Sequence, residues 1–250
     1  MLALRNPHPN DSRITFIEAS HKYNVEGCRS TTSVTKLVHA QFPPFDADAV
    51  IAEMMSKANW PKSKYFGMTK DQIKELWSKN GSAASAEGTK LHNDIEAFYN
   101  GEPVDNDSIE YKHFLEFDKW RSQRGLVPYR AEWTVYDVPH LLAGTIDMCF
   151  LREDGTICIY DWKRVKQLRR TAYGGKTGCT DACLEVPDAN YWHYSLQLGL
   201  YKWILETNYG VVVSETALVS LHPEQSTYEI HTTANVKTVV EAVLSSRKSS

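Results

Sequence analysis

The segment AGTIDMCFLREDGTICIYDWK, residues 143–163, decides the fold at the centre of the chain. Two apolar runs flank an acidic Asp154–Gly155 turn, a pattern typical of a β-hairpin. Asp147 lies near the start of the first arm, while Asp161 and Lys163 end the second arm, two residues apart. Because side chains alternate along a strand, Asp161 and Lys163 are predicted to leave the same face.

The length of the hairpin loop decides whether the two aspartates meet. With a three-residue loop, residues 153–155, the numbers of facing residues add up to 308, and Asp147 stands opposite Asp161. A two-residue loop shifts that sum to 309 and puts the two carboxylates on opposite faces of the sheet. Shared chemistry of the two aspartates therefore requires the odd-numbered loop or a bulge.

Two facing carboxylates predict a cation site. Opposed strand residues are about 5 Å apart, so the two acids repel each other unless a cation lies between them. Oxygen ligands suit Mg²⁺ or Mn²⁺, and a lysine beside such an ion is typical of phosphodiester hydrolysis. The alternative is an ordinary surface hairpin, because the D/E-x-K triplet is short. Residues 110–112, EYK, also match it, in a segment with a helical pattern.

Composition limits the class of protein. The 250 residues predict one large domain or one domain with an extension, and a net charge of −3 excludes a uniformly basic surface but not a local basic groove. Five cysteines and no signal peptide predict reduced thiols in the cytoplasm or another reducing intracellular compartment, such as a nucleus or viral replication site, rather than secretion. No apolar run is long enough to cross a membrane.

The chain is predicted to divide near residue 80. Residues 1–80 have the pattern of a strand pair followed by a mostly helical extension packed on a core formed by residues 81–250. Thr69 and Gln72 form a capping box for a helix that is predicted to stop near Gly81. This N-terminal third carries no catalytic signature, so a structural cap and a substrate-guiding lid both remain open.

A second helix, over residues 85–100, carries the next candidate residues. His92 and Glu96 are four apart and share one face. Such a pair is usually only an exposed polar pair. If the helix packs beside the hairpin, His92 offers the metal a nitrogen ligand and Glu96 orients a bound water.

Two segments near the hairpin add further candidates. Residues 128–137 alternate like a strand, with Arg130 and Glu132 on one face and Trp133 on the other, and Glu132 either supports the site or is simply exposed. Residues 163–170, KRVKQLRR, hold five basic residues and no acidic one, which suits phosphate tracking or an ordinary solvated charge run. The substrate-binding candidates in this run are Arg164, Lys166, Arg169 and Arg170.

An irregular loop and an aromatic-rich helix follow the basic run. The loop contains Cys179 and Cys183, but no second Cys/His pair completes a metal site, so no zinc or iron–sulfur centre is expected there. A helix is predicted over residues 190–206, with Gln197 and Tyr201 on one face. A core helix with two polar tips is the alternative for this pair.

The order of these motifs resembles the RecB-like branch of the PD-(D/E)xK nucleases. That branch includes phage lambda-type exonucleases and the mitochondrial genome maintenance exonuclease, and it is similar to nucleases of large DNA viruses and phages. Each motif is weak alone, but all four stand in family order between residues 85 and 205. The matching pieces are Gly88-Thr89-x-x-His92 with Glu96, Gly144-Thr145-Ile146-Asp147, Asp161-Trp162-Lys163 and Gln197-x-x-x-Tyr201.

The resemblance implies an α/β fold, with a restriction-endonuclease-like mixed central sheet flanked by helices. The implied roles are binding of Mg²⁺ or Mn²⁺ by His92, Asp147, Asp161 and the Trp162 carbonyl, water activation by Lys163, and contacts to the DNA backbone by Gln197 and Tyr201. The "PD" of the family is Ile146-Asp147 here. No cysteine follows the Gln-x-x-x-Tyr helix, so no iron–sulfur cluster is carried over.

These features predict a metal-dependent DNA nuclease that leaves 5′-phosphates. An exonuclease or end-processing enzyme acting on single-stranded DNA or duplex ends is favoured, because no separate recognition domain stands out. The alternatives are a restriction-like endonuclease, a catalytically silent nucleic-acid-binding module and a metal-dependent phosphatase. The intact Asp147, Asp161 and Lys163 argue against the silent module, and the basic run argues against the phosphatase.

Overall fold

The chain forms two compact units in the computed structural model, which describes residues 1–20, 22–26, 28 and 30–248. One unit combines Met1–Pro43 with the chain from Leu91 onward, and the other is Pro44–Lys90. This division differs from the predicted boundary near residue 80. The N-terminal residues belong to the larger unit because they bind one of its strands, residues 127–137. The Asn6 side chain donates a hydrogen bond to the Tyr129 carbonyl of that strand at 2.9 Å.

A mixed six-stranded sheet forms the centre of the larger unit. Its strands are β3 (Thr32–Ser33), β4 (Val127–Asp137), β5 (Leu142–Leu151), β6 (Ile157–Lys163), β7 (Val213–Ser220) and β8 (Glu229–Thr232). The order is β3–β5–β6–β7–β8, with β4 also paired to β5, and the β3–β5 and β6–β7 pairs are parallel. A separate antiparallel pair consists of β1 (Ile14–Ile17) and β2 (Lys22–Val25).

Helices cover both faces of this sheet. The helices are α1 (Leu2–Arg5), α2 (Val34–His39), α3 (Ala47–Ser56), α4 (Lys70–Asn100), α5 (Ile109–Gln123), α6 (Asn190–Asn208) and α7 (Lys237–Lys248). One hydrophobic cluster joins the sheet to α2, α6 and α7, and a second joins it to α5 and the C-terminal part of α4. The predicted α/β class, a mixed sheet flanked by helices, is confirmed. Among the described residues, no helix is both long and apolar enough to span a bilayer.

The hairpin has the three-residue loop that shared chemistry requires. Met148 pairs with Tyr160 and Leu151 with Ile157, so the facing numbers add up to 308. Gly155 supports the turn, because its φ of +80° lies in the left-handed region that glycine adopts without strain. The odd-numbered alternative is therefore confirmed.

One edge of β5 opens beside this hairpin. Strand β5 pairs with β4 along one edge, from residue 142 to residue 151. Along its other edge, residues 142–143 pair with β3 and residues 148–151 pair with β6. The segment between these pairings, residues 144–147, is the Gly-Thr-Ile-Asp motif. Gly144 is needed there, because a Cβ atom would lie 2.7 Å from Cε1 of Tyr201.

The predicted helix stop near Gly81 is wrong. α4 runs without interruption through Gly81 and Gly88, neither of which has a positive φ. A glycine inside a helix costs only about 1 kcal/mol relative to alanine, which the rest of a long helix offsets. The helix ends where the sequence predicts, before Gly101, whose φ is +78°. The capping box at its start is also confirmed, with the Gln72 amide donating to Thr69 Oγ1 at 3.2 Å.

Candidate metal centre

Backbone strain on β4 turns Glu132 toward the opening in the sheet. Glu132 has a φ of +45°, a left-handed conformation that costs a non-glycine residue of the order of 1–3 kcal/mol. Residues on either side of it keep their pairs in β5, Ala131 with Met148 and Trp133 with Ile146. The strict alternation predicted for this strand is therefore broken at Glu132, at the level of Asp147 in the neighbouring strand.

His92 enters this opening from α4. Its Nδ1 atom lies 3.6 Å from Asp147 Oδ2 and 3.9 Å from Glu132 Oε1. Its Nε2 atom lies 3.1 Å from the Trp162 carbonyl oxygen, which can only accept a hydrogen bond, so Nε2 carries a proton. The Trp162 carbonyl thus orients the ring and leaves Nδ1 facing the acids. In this structure the carbonyl accepts a hydrogen bond from His92, whereas the resemblance implies that it binds the metal.

Among the described residues, one group meets the geometric requirement for holding a metal ion. It consists of His92, Glu132 and Asp147, whose ligand atoms all lie within 4.8 Å of one another. One imidazole nitrogen and two carboxylates are a donor set that fits Mg²⁺ or Mn²⁺. Glu132, for which the sequence predicts only a supporting or exposed position, thus belongs to this group.

Asp161 and Lys163 lie beside this group. Both leave the same face of β6, as predicted, and Lys163 Nζ lies 2.6 Å from Asp161 Oδ2. The Lys163 ammonium thus balances the charge of this buried carboxylate.

Strands β5 and β6 separate at the site. Their pairing ends at Met148 and Tyr160, and beyond that point the Trp162 amide donates to the Asp147 side chain at 2.9 Å. The Asp147 carboxylate therefore takes the place of a main-chain acceptor at the end of the ladder. This bond holds one oxygen of Asp147 in the opening between the strands.

Burial and the charges of neighbouring groups shift the pKa values of the ionisable side chains at this site. Burial, reinforced by the Asp147 carboxylate, raises the pKa of Asp161 to about 6, and burial also raises the pKa of Asp147. Burial lowers the pKa of His92, but Asp147 and Glu132 outweigh it and raise that pKa to about 9. Burial likewise lowers the pKa of Lys163, yet the neighbouring Asp161 and Asp147 carboxylates raise it above its ordinary value. The site is thus rich in acidic charge, and a divalent cation would relieve the repulsion.

Lys163 is held in place by an aromatic ring as well as by Asp161. Its Nζ atom lies 4.5 Å from the centre of the Tyr194 ring, on α6. An ammonium over a ring face is a favourable cation–π arrangement. Tyr194 stands three residues before Gln197 in a helix of many aromatics, so no distinct pattern in the sequence marks it.

Tyr201 lies in the protein core. The residue is 3% exposed, packs on Gly144, and its hydroxyl is 3.5 Å from Gln197 Nε2. This burial differs from the DNA-backbone contact that the resemblance implies for Tyr201. Tyr23, on β2, was not predicted to contribute, yet its hydroxyl lies 3.0 Å from Thr145 Oγ1, two residues from Asp147.

Half of the predicted basic contacts already have acidic partners. Arg164 Nε donates to Glu110 Oε1 at 2.7 Å, and Lys166 pairs with Glu224. Glu110 lies in the first turn of α5, which confirms that its E-x-K triplet is helical and not part of the hairpin motif.

Arg169 and Arg170 remain exposed at the end of the run. The Arg170 guanidinium lies 4.0 Å from the centre of the Tyr191 ring. Arg169 and Lys166 line an open cleft of about 1060 Å³. These two arginines are therefore the members of the run best placed to meet a phosphate.

Glu96 does not join the group of ligand atoms. Burial raises its pKa, and the charged neighbour that adds to this effect is Glu102. Cys179 and Cys183 are free thiols, and neither belongs to a group of potential metal ligands in the described part of the chain.

Comparisons with known proteins establish no family. No family model matches the chain, and no curated protein matches it significantly. A crystal structure of a protein called SSO0001 is similar at a TM-score of 0.35 and 14% identity, over 92% of this chain and 78% of that chain. A likeness of this size carries no argument about function.

Proposed function

We propose that the protein is a metal-dependent DNA nuclease that hydrolyses phosphodiester bonds and leaves 5′-phosphates. One observation carries the proposal: the grouping of His92, Glu132 and Asp147 within 4.8 Å, beside a buried Asp161–Lys163 pair. Acids on three neighbouring strands, β4, β5 and β6, together with an imidazole and an ammonium, suit metal-assisted hydrolysis of a phosphodiester.

Mg²⁺ or Mn²⁺ is the cation proposed for this site. The His92 Nδ1 atom and the carboxylates of Glu132, Asp147 and Asp161 would hold it. When bound, such an ion lowers the pKa of a water and neutralises charge on the phosphate. The donor set contains no thiolate, so an iron–sulfur cluster is not part of the proposal.

Each protein group has a task in the proposed reaction. The Trp162 carbonyl keeps His92 oriented, and the Trp162 amide keeps Asp147 in place. The Lys163 ammonium stays charged, so it donates a hydrogen bond to the oxygen of the attacking water or to a phosphate oxygen and does not act as the base that takes the water's proton. In-line displacement then requires only that the scissile phosphate lie between the water and its leaving oxygen.

We favour an exonuclease or end-processing activity over sequence-specific cleavage. The exposed Arg169 and Arg170 suit phosphates rather than base edges, and phosphate contacts carry no sequence information directly. The five free cysteines agree with a reducing intracellular compartment.

The deciding experiment compares end-labelled linear DNA with covalently closed circular DNA, in Mg²⁺, Mn²⁺ or EDTA. The wild type is expected to degrade linear DNA with either metal, to spare closed circles, and to stop in EDTA. Cleavage of closed circles would instead favour the endonuclease alternative. Asp161→Asn is expected to abolish this cleavage. Asp105→Asn, at an exposed aspartate, is the matched control and should cleave like the wild type. Metal-independent cleavage, or none under any condition, would refute the proposal.

A further inference from the structure

The smaller unit contains a strongly basic surface segment. Residues 57–70, KANWPKSKYFGMTK, hold four lysines and no acidic residue, whereas the whole chain has a net charge of −3. Three aromatic residues are interleaved with these lysines. We call this the lysine–aromatic segment. Its positive charge is a local feature that overall composition does not explain.

Consecutive tight turns hold the backbone of this segment. The Trp60 amide donates to the Lys57 carbonyl at 2.9 Å, and the Ser63 amide donates to the Trp60 carbonyl at 2.8 Å. The Met68 amide closes a further turn on the Tyr65 carbonyl at 3.0 Å. A backbone bonded in this way presents its side chains in a fixed arrangement and loses little entropy on binding.

The aromatic rings are anchored on one side and open on the other. The Tyr65 hydroxyl accepts a hydrogen bond from Trp77 Nε1 at 3.0 Å, which ties the segment to α4. Trp60 packs edge-on against Phe66, with ring centres 6.2 Å apart. Phe66 nevertheless remains 58% exposed. An aromatic ring left in water on a fixed turn offers a flat face to a ligand.

Two of the lysines are available to the same ligand. Lys62 and Lys64 are both exposed, and neither forms an ion pair within the described residues. Lys64 Nζ lies 5.0 Å from the centre of the Tyr65 ring, so cationic charge and ring faces share one surface. By contrast, Lys57 pairs with Glu53 at 3.0 Å.

We propose that the lysine–aromatic segment binds single-stranded nucleic acid. A base would stack on Phe66, while Lys62 and Lys64 contact phosphates on either side of it. Alternating cationic charge and ring faces complement a single strand, because only unpaired bases expose their faces for stacking. Duplex DNA keeps those faces covered. The inference rests on the proposed nuclease function and narrows its substrate to the single-stranded form.

Binding without cleavage tests the inference directly. Fluorescence anisotropy in EDTA measures the affinity for fluorescein-labelled dT₂₀ and for a blunt 20-bp duplex. Phe66→Ala is expected to weaken dT₂₀ binding about 10-fold, since one base–aromatic stack contributes 1–3 kcal/mol. The double variant Lys62→Gln/Lys64→Gln is expected to weaken it by a similar factor and to reduce the salt slope by about 1.4, at 0.7 per phosphate contact. Duplex affinity should stay within about two-fold.

Matched controls separate this surface from general charge and from exposed apolar side chains. Lys22→Gln/Lys36→Gln removes two exposed lysines of the larger unit, and Leu4→Ala removes an apolar side chain that is 80% exposed. Both controls should bind dT₂₀ like the wild type. Phe66→Trp, which keeps a stacking face, should retain wild-type affinity and so exclude a loss of fold.

Three results would overturn the inference. The first is a dT₂₀ affinity within two-fold of the wild type in both Phe66→Ala and the double-lysine variant. The second is a loss of duplex affinity in these variants equal to their loss of dT₂₀ affinity, and the third is tighter binding of the wild type to an acidic protein or anionic vesicles than to dT₂₀. Failure here would leave metal-dependent cleavage untouched, whereas failure of the nuclease proposal would appear in the cleavage assay alone, since these titrations contain no metal.

Discussion

Two charged clusters lie two residues apart on β4, and they are built in opposite ways. Around Arg130, Asp11 accepts hydrogen bonds from both terminal guanidinium nitrogens at 2.8 and 3.2 Å and from Trp133 Nε1 at 3.0 Å. Around Glu132, the three carboxylates of Glu132, Asp147 and Asp161 face two basic side chains, His92 and Lys163. The same strand therefore carries one cluster in which a single acid is matched by its donors and one in which three acids face two basic side chains.

The pKa values of Asp11 and Asp161 shift in opposite directions in these two clusters. Burial raises the pKa of Asp11, but hydrogen bonds from Arg130, the His8 amide and Trp133 outweigh it and hold the pKa below its ordinary value. At Asp161, burial and the Asp147 carboxylate outweigh the Lys163 ammonium and raise the pKa to about 6. The cluster around Arg130, in which the acid is matched by donors, stabilises the fold. An excess of acid beside a strained residue in a sheet opening is suited to binding a cation.

The largest effect is expected for Asp161→Asn on cleavage. Removing this carboxylate should lower the rate with Mn²⁺ by about 10³-fold, within the range for loss of a group that handles the reacting proton or its charge. Asp11→Asn should leave the rate per folded molecule unchanged. Single-turnover assays on end-labelled DNA, with the folded fraction measured by circular dichroism, check both expectations. Equal losses in the two variants would erase the distinction between the clusters.

The free energy of unfolding should rank the two variants in the reverse order, with the larger loss in Asp11→Asn. Asp11→Asn leaves the buried Arg130 without its carboxylate and is expected to lower the free energy of unfolding by about 2–4 kcal/mol. Asp161→Asn should cost less, because it also relieves repulsion from Asp147, which still balances Lys163. Urea titrations of both variants measure the difference. A greater loss in Asp161→Asn would mean that its cluster is structural.

Two glutamates sharpen the comparison within the site. Glu132→Gln should weaken Mn²⁺ binding about 10-fold or more, as expected when a group at a metal centre is lost. Glu96→Gln should leave it unchanged, because Glu96 lies outside the group of ligand atoms. Calorimetric titration with Mn²⁺ in the absence of DNA measures both affinities. Identical affinities in the two variants would remove Glu132 from the centre.

The smallest effect concerns acid stability. Because the pKa of Asp11 is lower in the folded state than its ordinary 3.8, the unfolded chain binds this proton first as the pH falls. The stabilisation by the Asp11 carboxylate is therefore complete well above pH 3.8 and is lost as the pH falls below it. Between pH 5 and 3, unfolding free energies should fall more steeply for the wild type than for Asp11→Asn. Parallel slopes would contradict the lowered pKa.

Local features of the structure were predictable from the sequence. The hairpin itself, though not the length of its loop, the shared face of Asp161 and Lys163 and the capping box at Thr69 depend on residues close together in the chain. Each follows from turn chemistry or side-chain periodicity, which neighbours alone determine. The helix predicted over residues 190–206 forms as Asn190–Asn208 for the same reason.

Tertiary packing decided the rest of the site. The sequence placed His92 near the acids only on condition that its helix packs beside the hairpin, and the choice of Nδ1 depends on the Trp162 carbonyl. Glu132 belongs to the group of potential ligands although it has a left-handed backbone inside a strand, which strand periodicity does not predict. Likewise, Arg164 is held by Glu110, 54 residues away in the chain.

By itself, the sequence determined which side chains are present and how they alternate along each element. Only the folded chain decided which of them meet, because contacts across a sheet opening depend on where strands separate and where strain is tolerated. Such contacts join residues far apart in the chain, and no local propensity encodes their distance.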